Sequence, residues 1–116
     1  MNDLNIGGMA IAPNVVETIV ALATQDVEGV AAVGAPGAST SLRSMLPGKP
    51  STQGVEVSVN DNDKLVVSVH VDVMYGYALP DVAAKIRESV ADAVLLQVGA
   101  PVESVDVYVD GIQFEN

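Results

Sequence analysis

Cysteine is absent from this chain of 116 residues, so neither a disulfide framework nor a thiolate metal site can form. Tryptophan is absent as well, phenylalanine occurs once, at Phe114, and aromatics make up only 3%. The core must therefore be mainly aliphatic. Basic residues are scarce: Arg43, Lys49, Lys64, Lys85 and Arg87 stand against fifteen acidic ones, for a formal charge of −10. The five are scattered. A chain with so few cations has little with which to displace the counterions of nucleic-acid phosphates or anionic headgroups, and direct binding to nucleic acid is not expected. No run approaches the ~20 apolar residues needed to cross a bilayer. The start, Met1-Asn2-Asp3-Leu4, lacks the basic and apolar regions of a signal peptide. These absences point to a cytoplasmic protein with no direct membrane insertion.

What the chain has in abundance is valine, 22 residues of it. Valine loses χ1 freedom in a helix and packs well on a pleated surface, so the excess argues for a substantial sheet. Val55, Val57 and Val59 alternate with Glu56, Ser58 and Asn60, the period of a half-buried strand. After the turn residues Asp61-Asn62-Asp63, Leu65, Val67, Val69, Val71 and Val73 alternate with Val66, Ser68, His70, Asp72 and Met74. Two such runs make a β-hairpin. Leu79-Pro80-Asp81 opens a helix, with Val82, Ile86, Val90, Ala93 and Val94 on one face; Gly99 supplies the left-handed cap and Pro101 blocks continuation. Val105, Val107 and Val109 alternate with Asp106, Tyr108 and Asp110 in a last strand over 104–110.

The first half is less regular. Residues 6–11 read as one short strand, and Val30–Val33 as another. Pro13 starts a helix that runs to about Asp26, with Val15, Val16, Ile19, Leu22 and Ala23 on its apolar side. Residues 34–53 hold three prolines and four serines with little periodicity, and read as a long flexible internal loop in which Leu42, Met45 and Leu46 could form one helical turn. The expected fold is a single α+β domain over 1–116: a two-layer sandwich of a mixed β-sheet with both helices on one face, in the order β-α-β-β-β-α-β. The strands at 65–74 and 104–110 run parallel through the crossover helix.

Read in that order, the chain resembles the alkaline shock protein family, envelope-stress proteins of mostly Gram-positive bacteria. The likeness lies in Ile11-Ala12-Pro13 with Val16, Ile19 and Val27-Glu28-Gly29-Val30, then Gly54-Val55-Glu56-Val57, Tyr75-Gly76, Leu79-Pro80-Asp81-Val82 and the ending Val105 to Phe114. It covers most of residues 6–114 and departs at Gln97-Val98-Gly99-Ala100, where family members often carry Thr-Gly. Without the long polar extensions of larger members, the chain resembles a short, bare-domain one. The resemblance implies a cytoplasmic protein held near the membrane by a separate anchoring protein. It implies no catalytic residue, and none is assigned.

His70 is the single histidine, and by alternation it leaves the valine face for the side that holds Asp72, with Asp106, Tyr108 and Asp110 on a neighbouring strand. Read for chemistry, one imidazole among carboxylates suggests a small enzyme or a metal- or ligand-binding site. Read plainly, it is an acidic solvated face, since a lone histidine has no ligand spacing and no nucleophile motif stands beside it. Asn60-Asp61-Asn62-Asp63 lacks the glycine and distal glutamate of a calcium loop. Tyr75 and Tyr77 flank Gly76 at the exit of the longest strand, as a packing hinge or a protein contact. The expectation is a non-catalytic scaffold or adaptor with no cofactor and no metal. Its interaction surface would be Ser68, His70, Asp72, Tyr75, Tyr77, Asp106, Tyr108 and Asp110. Its partner would be a protein, membrane-anchoring by family analogy, and an uncovered sheet face or edge also favours a homo-oligomer. The alternatives are the His70-centred enzyme or binding site, and a regulator of envelope lipid synthesis.

Overall fold

The strand with the cleanest alternation organises the fold. In the computed structural model, which describes residues 4–6, 8–34, 54–62 and 64–114, that strand is β5 (Leu65–Met74). Ahead of it come β1 (Leu4–Ile6), β2 (Met9–Ile11), helix α1 (Pro13–Gln25), β3 (Val30–Val33) and β4 (Val55–Val59). Helix α2 (Leu79–Val98) and β6 (Val102–Gln113) follow it. β5 pairs in parallel with β6 along one edge, and antiparallel with both β3 and β4 along the other. Leu65, Val67, Val69, Val71 and Val73 are all fully buried beneath the helices, while their even-numbered neighbours form the opposite, open face. The two-layer α+β architecture, the hairpin and the parallel crossover are borne out.

Helix α2 follows its sequence signals. Pro80 lies in the first turn with Asp81, Gly99 caps the end at φ 81, and Val82, Ile86, Val90, Val94 and Val98 are buried. Helix α1 turns differently from its apolar pattern. Val16, Val20, Ala21 and Thr24 face the core, whereas Val15 and Leu22 are about half exposed. Thr24 can be buried because its hydroxyl donates to the Val20 carbonyl at 2.7 Å. The Ser89 hydroxyl of α2 donates to the Ala23 carbonyl at 3.1 Å and ties the helices together. The single strand expected at 6–11 is instead a small hairpin, β1 against β2 with Leu4 opposite Ile11, because the chain reverses through Gly8, which has φ 82.

β3 and β4 lie end to end along one edge of β5. Their joint is at His70, whose N–H donates to the Gly54 carbonyl and whose carbonyl accepts from the Gly34 N–H, both at 2.9 Å. The two glycines touch: a Cβ on Gly54 would stand 2.8 Å from the Gly34 Cα. The flexible loop expected at 34–53, with its helical turn, otherwise lies outside the described residues. At the far end of the hairpin, the Asn60 side-chain oxygen accepts from the N–H groups of Asn62 and Lys64, which is turn chemistry.

Two outcomes test this arrangement. Val71→Asp should unfold the domain by burying an unpaired carboxylate among aliphatic side chains. Ser68→Lys, on the open face between Glu56 and Asp106, should change stability by no more than about 1 kcal/mol in urea melts. Gly54→Ala should cost about 2 kcal/mol or more, from positive φ and the clash with Gly34. Gly76→Ala, at φ 105 but with open space beside it, should cost only about 1 kcal/mol.

Candidate functional site

The open face of the sheet is built by the even-numbered side chains of β5 and their neighbours on β6. Ser68 sits beside Asp106 and His70 beside Tyr108. The imidazole stacks on the Tyr108 ring, with centroids 4.7 Å apart and planes 16° from parallel. Its Nδ1 lies 2.8 Å from Asp110 Oδ2. With Asp110 ionised, an acceptor only, Nδ1 carries the proton and donates. The pair lies at the surface, with the side chains 39% and 30% exposed.

A backbone irregularity makes this cluster possible. Between Val109 and Gly111 the register of β6 against β5 shifts by one residue. Continued unshifted, the ladder would set Asp110 directly beside Asp72, two carboxylates in one cross-strand position. The shift puts Gly111 there instead and leaves Asp110 to meet His70. Asp72 is buried; Gln113 donates to its Oδ2 at 3.0 Å, while Oδ1 has no hydrogen-bond partner among the described residues. A Cβ on Gly111 would approach that oxygen to 3.0 Å. Gln113 and Gly111 were not singled out by sequence, although a glycine inside an alternating strand often marks a bulge.

Of the eight residues expected to form a surface, the structure joins His70, Tyr108 and Asp110 directly. Ser68 and Asp106 lie on the same face without bonding to them, and Asp72 lies on it but is buried. Tyr75 and Tyr77 belong to a second cluster at the exit of β5. The exposed Tyr75 ring packs against Phe114 at 5.0 Å. Tyr77 lies over Gly29 and its hydroxyl donates to Glu28 at 3.3 Å. Residues 74–79 with Ile112 line an open hollow of about 570 Å³ there.

Chemically, the His70–Asp110 pair holds an imidazole in one orientation. Among the described residues, Ser68 makes no hydrogen bond to it, and no three His, Asp or Glu side chains converge as a metal would require. The cluster is an aromatic and acidic patch fixed on two strands.

Residues 1–114 match the model of the alkaline shock protein 23 family, described as having a cell envelope-related function. Uncharacterized protein YqhY of Bacillus subtilis (strain 168) is 30% identical over 116 residues, 97% of this chain and 82% of that protein. Uncharacterized protein Spy1535 of Streptococcus pyogenes serotype M6 is 30% identical over 110 residues, 95% of this chain and 82% of that protein. Among solved structures, one variant of the MamM CTD superposes with a TM-score of 0.48 at 16% identity, covering 89% of this chain and 95% of that one. Another gives 0.47 at 17%, covering 88% and 96%.

If His70 and Tyr108 act as one stacked unit, their substitutions are not additive. His70→Ala and Tyr108→Ala should each leave the fold intact and lower stability by about 0.5–1 kcal/mol. The double variant should lose about 0.5 kcal/mol less than the sum, measured by a urea double-mutant cycle.

Proposed function

The chain belongs to the alkaline shock protein family that its sequence resembles, whose function is related to the cell envelope. From that premise we propose that it is a non-catalytic scaffold or adaptor, and that the open sheet face around His70, Tyr108 and Asp110 holds a protein partner near the membrane. The observation that carries this reading is the stacked His70–Tyr108 pair locked by Asp110. An aromatic anchor pre-set on paired strands loses little freedom on binding, and tyrosine is enriched where protein surfaces meet. The surrounding Glu56, Asp106 and Asp110 select a partner with complementary basic groups.

Among the described residues, the same chemistry offers the chain little means of attaching to a membrane by itself. It carries a formal charge of −10, and among the described residues no helix is long and apolar enough to cross a membrane. The valine and isoleucine stripe of α2 and most of the apolar side of α1 are spent on the core, while Leu95 and Leu96 near the end of α2 stay exposed. Stable attachment takes two signals, such as an acyl chain with a basic patch. A protein anchor supplies what this surface lacks.

Purified protein should remain in the supernatant when mixed with anionic liposomes at physiological salt, and should sediment once a membrane-spanning partner is reconstituted. Tyr108→Ala should abolish that recruitment without altering the circular dichroism spectrum. Co-sedimentation with bare liposomes that persists at high salt would refute the adaptor model. So would a stoichiometric transition metal in the purified protein that is lost in His70→Ala.

A further inference from the structure

The outer edge of β6 runs 12 residues and, among the described residues, has no strand beside it. Which of its backbone groups face outward follows from β5. The His70 N–H and carbonyl point toward Gly54 and Gly34, so the odd-numbered residues of β5 turn toward β6. Val69 stands beside Val107 and Val71 beside Val109. In a parallel ladder each such residue bonds to the two that flank its neighbour, here even-numbered ones. Val105, Val107 and Val109 therefore direct their N–H and C=O groups outward, in a regular stretch between the register shifts near Val102–Ser104 and Val109–Gly111.

We propose that this edge pairs antiparallel with the same edge of a second copy of the chain, about a two-fold axis at Val107. The sequence around that point, Val105-Asp106-Val107-Tyr108-Val109, reads nearly the same from either end. Outward-facing backbone then meets outward-facing backbone, Val107 with Val107 and Val105 with Val109. On the open face, Asp106 lies opposite Tyr108 of the other copy, and Ser104 opposite Asp110.

Charge selects this register over its neighbours. Centring the axis on Asp106 sets that carboxylate against its own copy; centring it on Tyr108 sets Asp106 against Asp110. Like charges directly opposite are destabilising, and only the Val107 centre of these three avoids them. Packing agrees on the helix side. Val109, 36% exposed, projects there beside the buried Val71. It would meet Val105, which lines a hollow of about 360 Å³ between α2 and β6 together with Arg87 and Ala91. The pairing also completes the patch described above, since Asp106 of one copy reaches the Tyr108 that stacks on His70 of the other. The proposal stands whether or not a protein partner occupies that patch.

Sedimentation velocity at about 100 µM should show a dimer. Tyr108→Asp, which sets two aspartates opposite each other at both symmetric positions, should weaken dimerisation roughly tenfold or more. Adding Asp106→Lys to it should restore the dimer by placing the new lysine opposite the new aspartate. Because the chain has no cysteine, Val107→Cys tests the register directly. Paired residues at the axis have Cα atoms about 5.5 Å apart, within the span of a disulfide. Under mild oxidation Val107→Cys should cross-link with itself, whereas Val105→Cys should cross-link only when mixed with Val109→Cys. A wild-type monomer at that concentration would overturn the proposal, as would an undiminished Tyr108→Asp dimer or self-cross-linking of Val105→Cys equal to that of Val107→Cys. Should Tyr108→Asp fail to fold, the cysteine pattern decides alone.

Discussion

Everything in this molecule hangs on the parity of one strand. β5 is hydrogen-bonded along both edges, and its five odd-numbered side chains are sealed from water while the even-numbered ones look the other way. A strand has a side-chain period of two, so a slip of one residue would trade Leu65, Val67, Val69, Val71 and Val73 for Val66, Ser68, His70, Asp72 and Met74. Burying the second set would strand an imidazole and a carboxylate in an aliphatic core. That penalty fixes the register, and with it the identity of every residue on the open face.

The open face is thus a by-product of core formation that has been adjusted locally. Parity delivers Ser68, His70 and Asp72 to one side and Asp106 and Tyr108 next to them. It would also deliver Asp110 to Asp72. The shift of register at Gly111 separates those carboxylates and converts a repulsive pair into two attractive arrangements, Asp110 with His70 and Gln113 with Asp72. The polar cluster rests on aliphatic packing below and on a bulge above, where Gly111 leaves room for the Asp72 carboxylate that a Cβ would approach to 3.0 Å.

The parts that could be read from sequence are those where one physical signal dominates. Strict alternation gave the β4–β5 hairpin, and Pro80, Asp81 and Gly99 gave both ends of α2. Periodicity also placed His70, Tyr108 and Asp110 on a common face. Sequence misled where two effects compete. On α1, hydropathy favours burying Val15 and Leu22, yet the observed stripe runs through Ala21 and Thr24; the threonine satisfies its hydroxyl internally and the alanine is small. At the N-terminus, six residues looked like one strand because the pattern says nothing about a reversal that glycine alone permits. In β6, counting by twos carries the eye straight past the bulge, since a register shift leaves no gap in the alternation before it.

The contact between Gly34 and Gly54 carries a further meaning for how such a chain can change over time. The peptide leaves the sheet edge and rejoins it at adjoining atoms, so the alignment of β3, β4 and β5 demands no particular length of chain between the two glycines. What the sheet requires at this seam is the two glycines and their backbone bonds to His70. The seam is a mounting point: new recognition sequence can be fitted there and discarded without renegotiating the core.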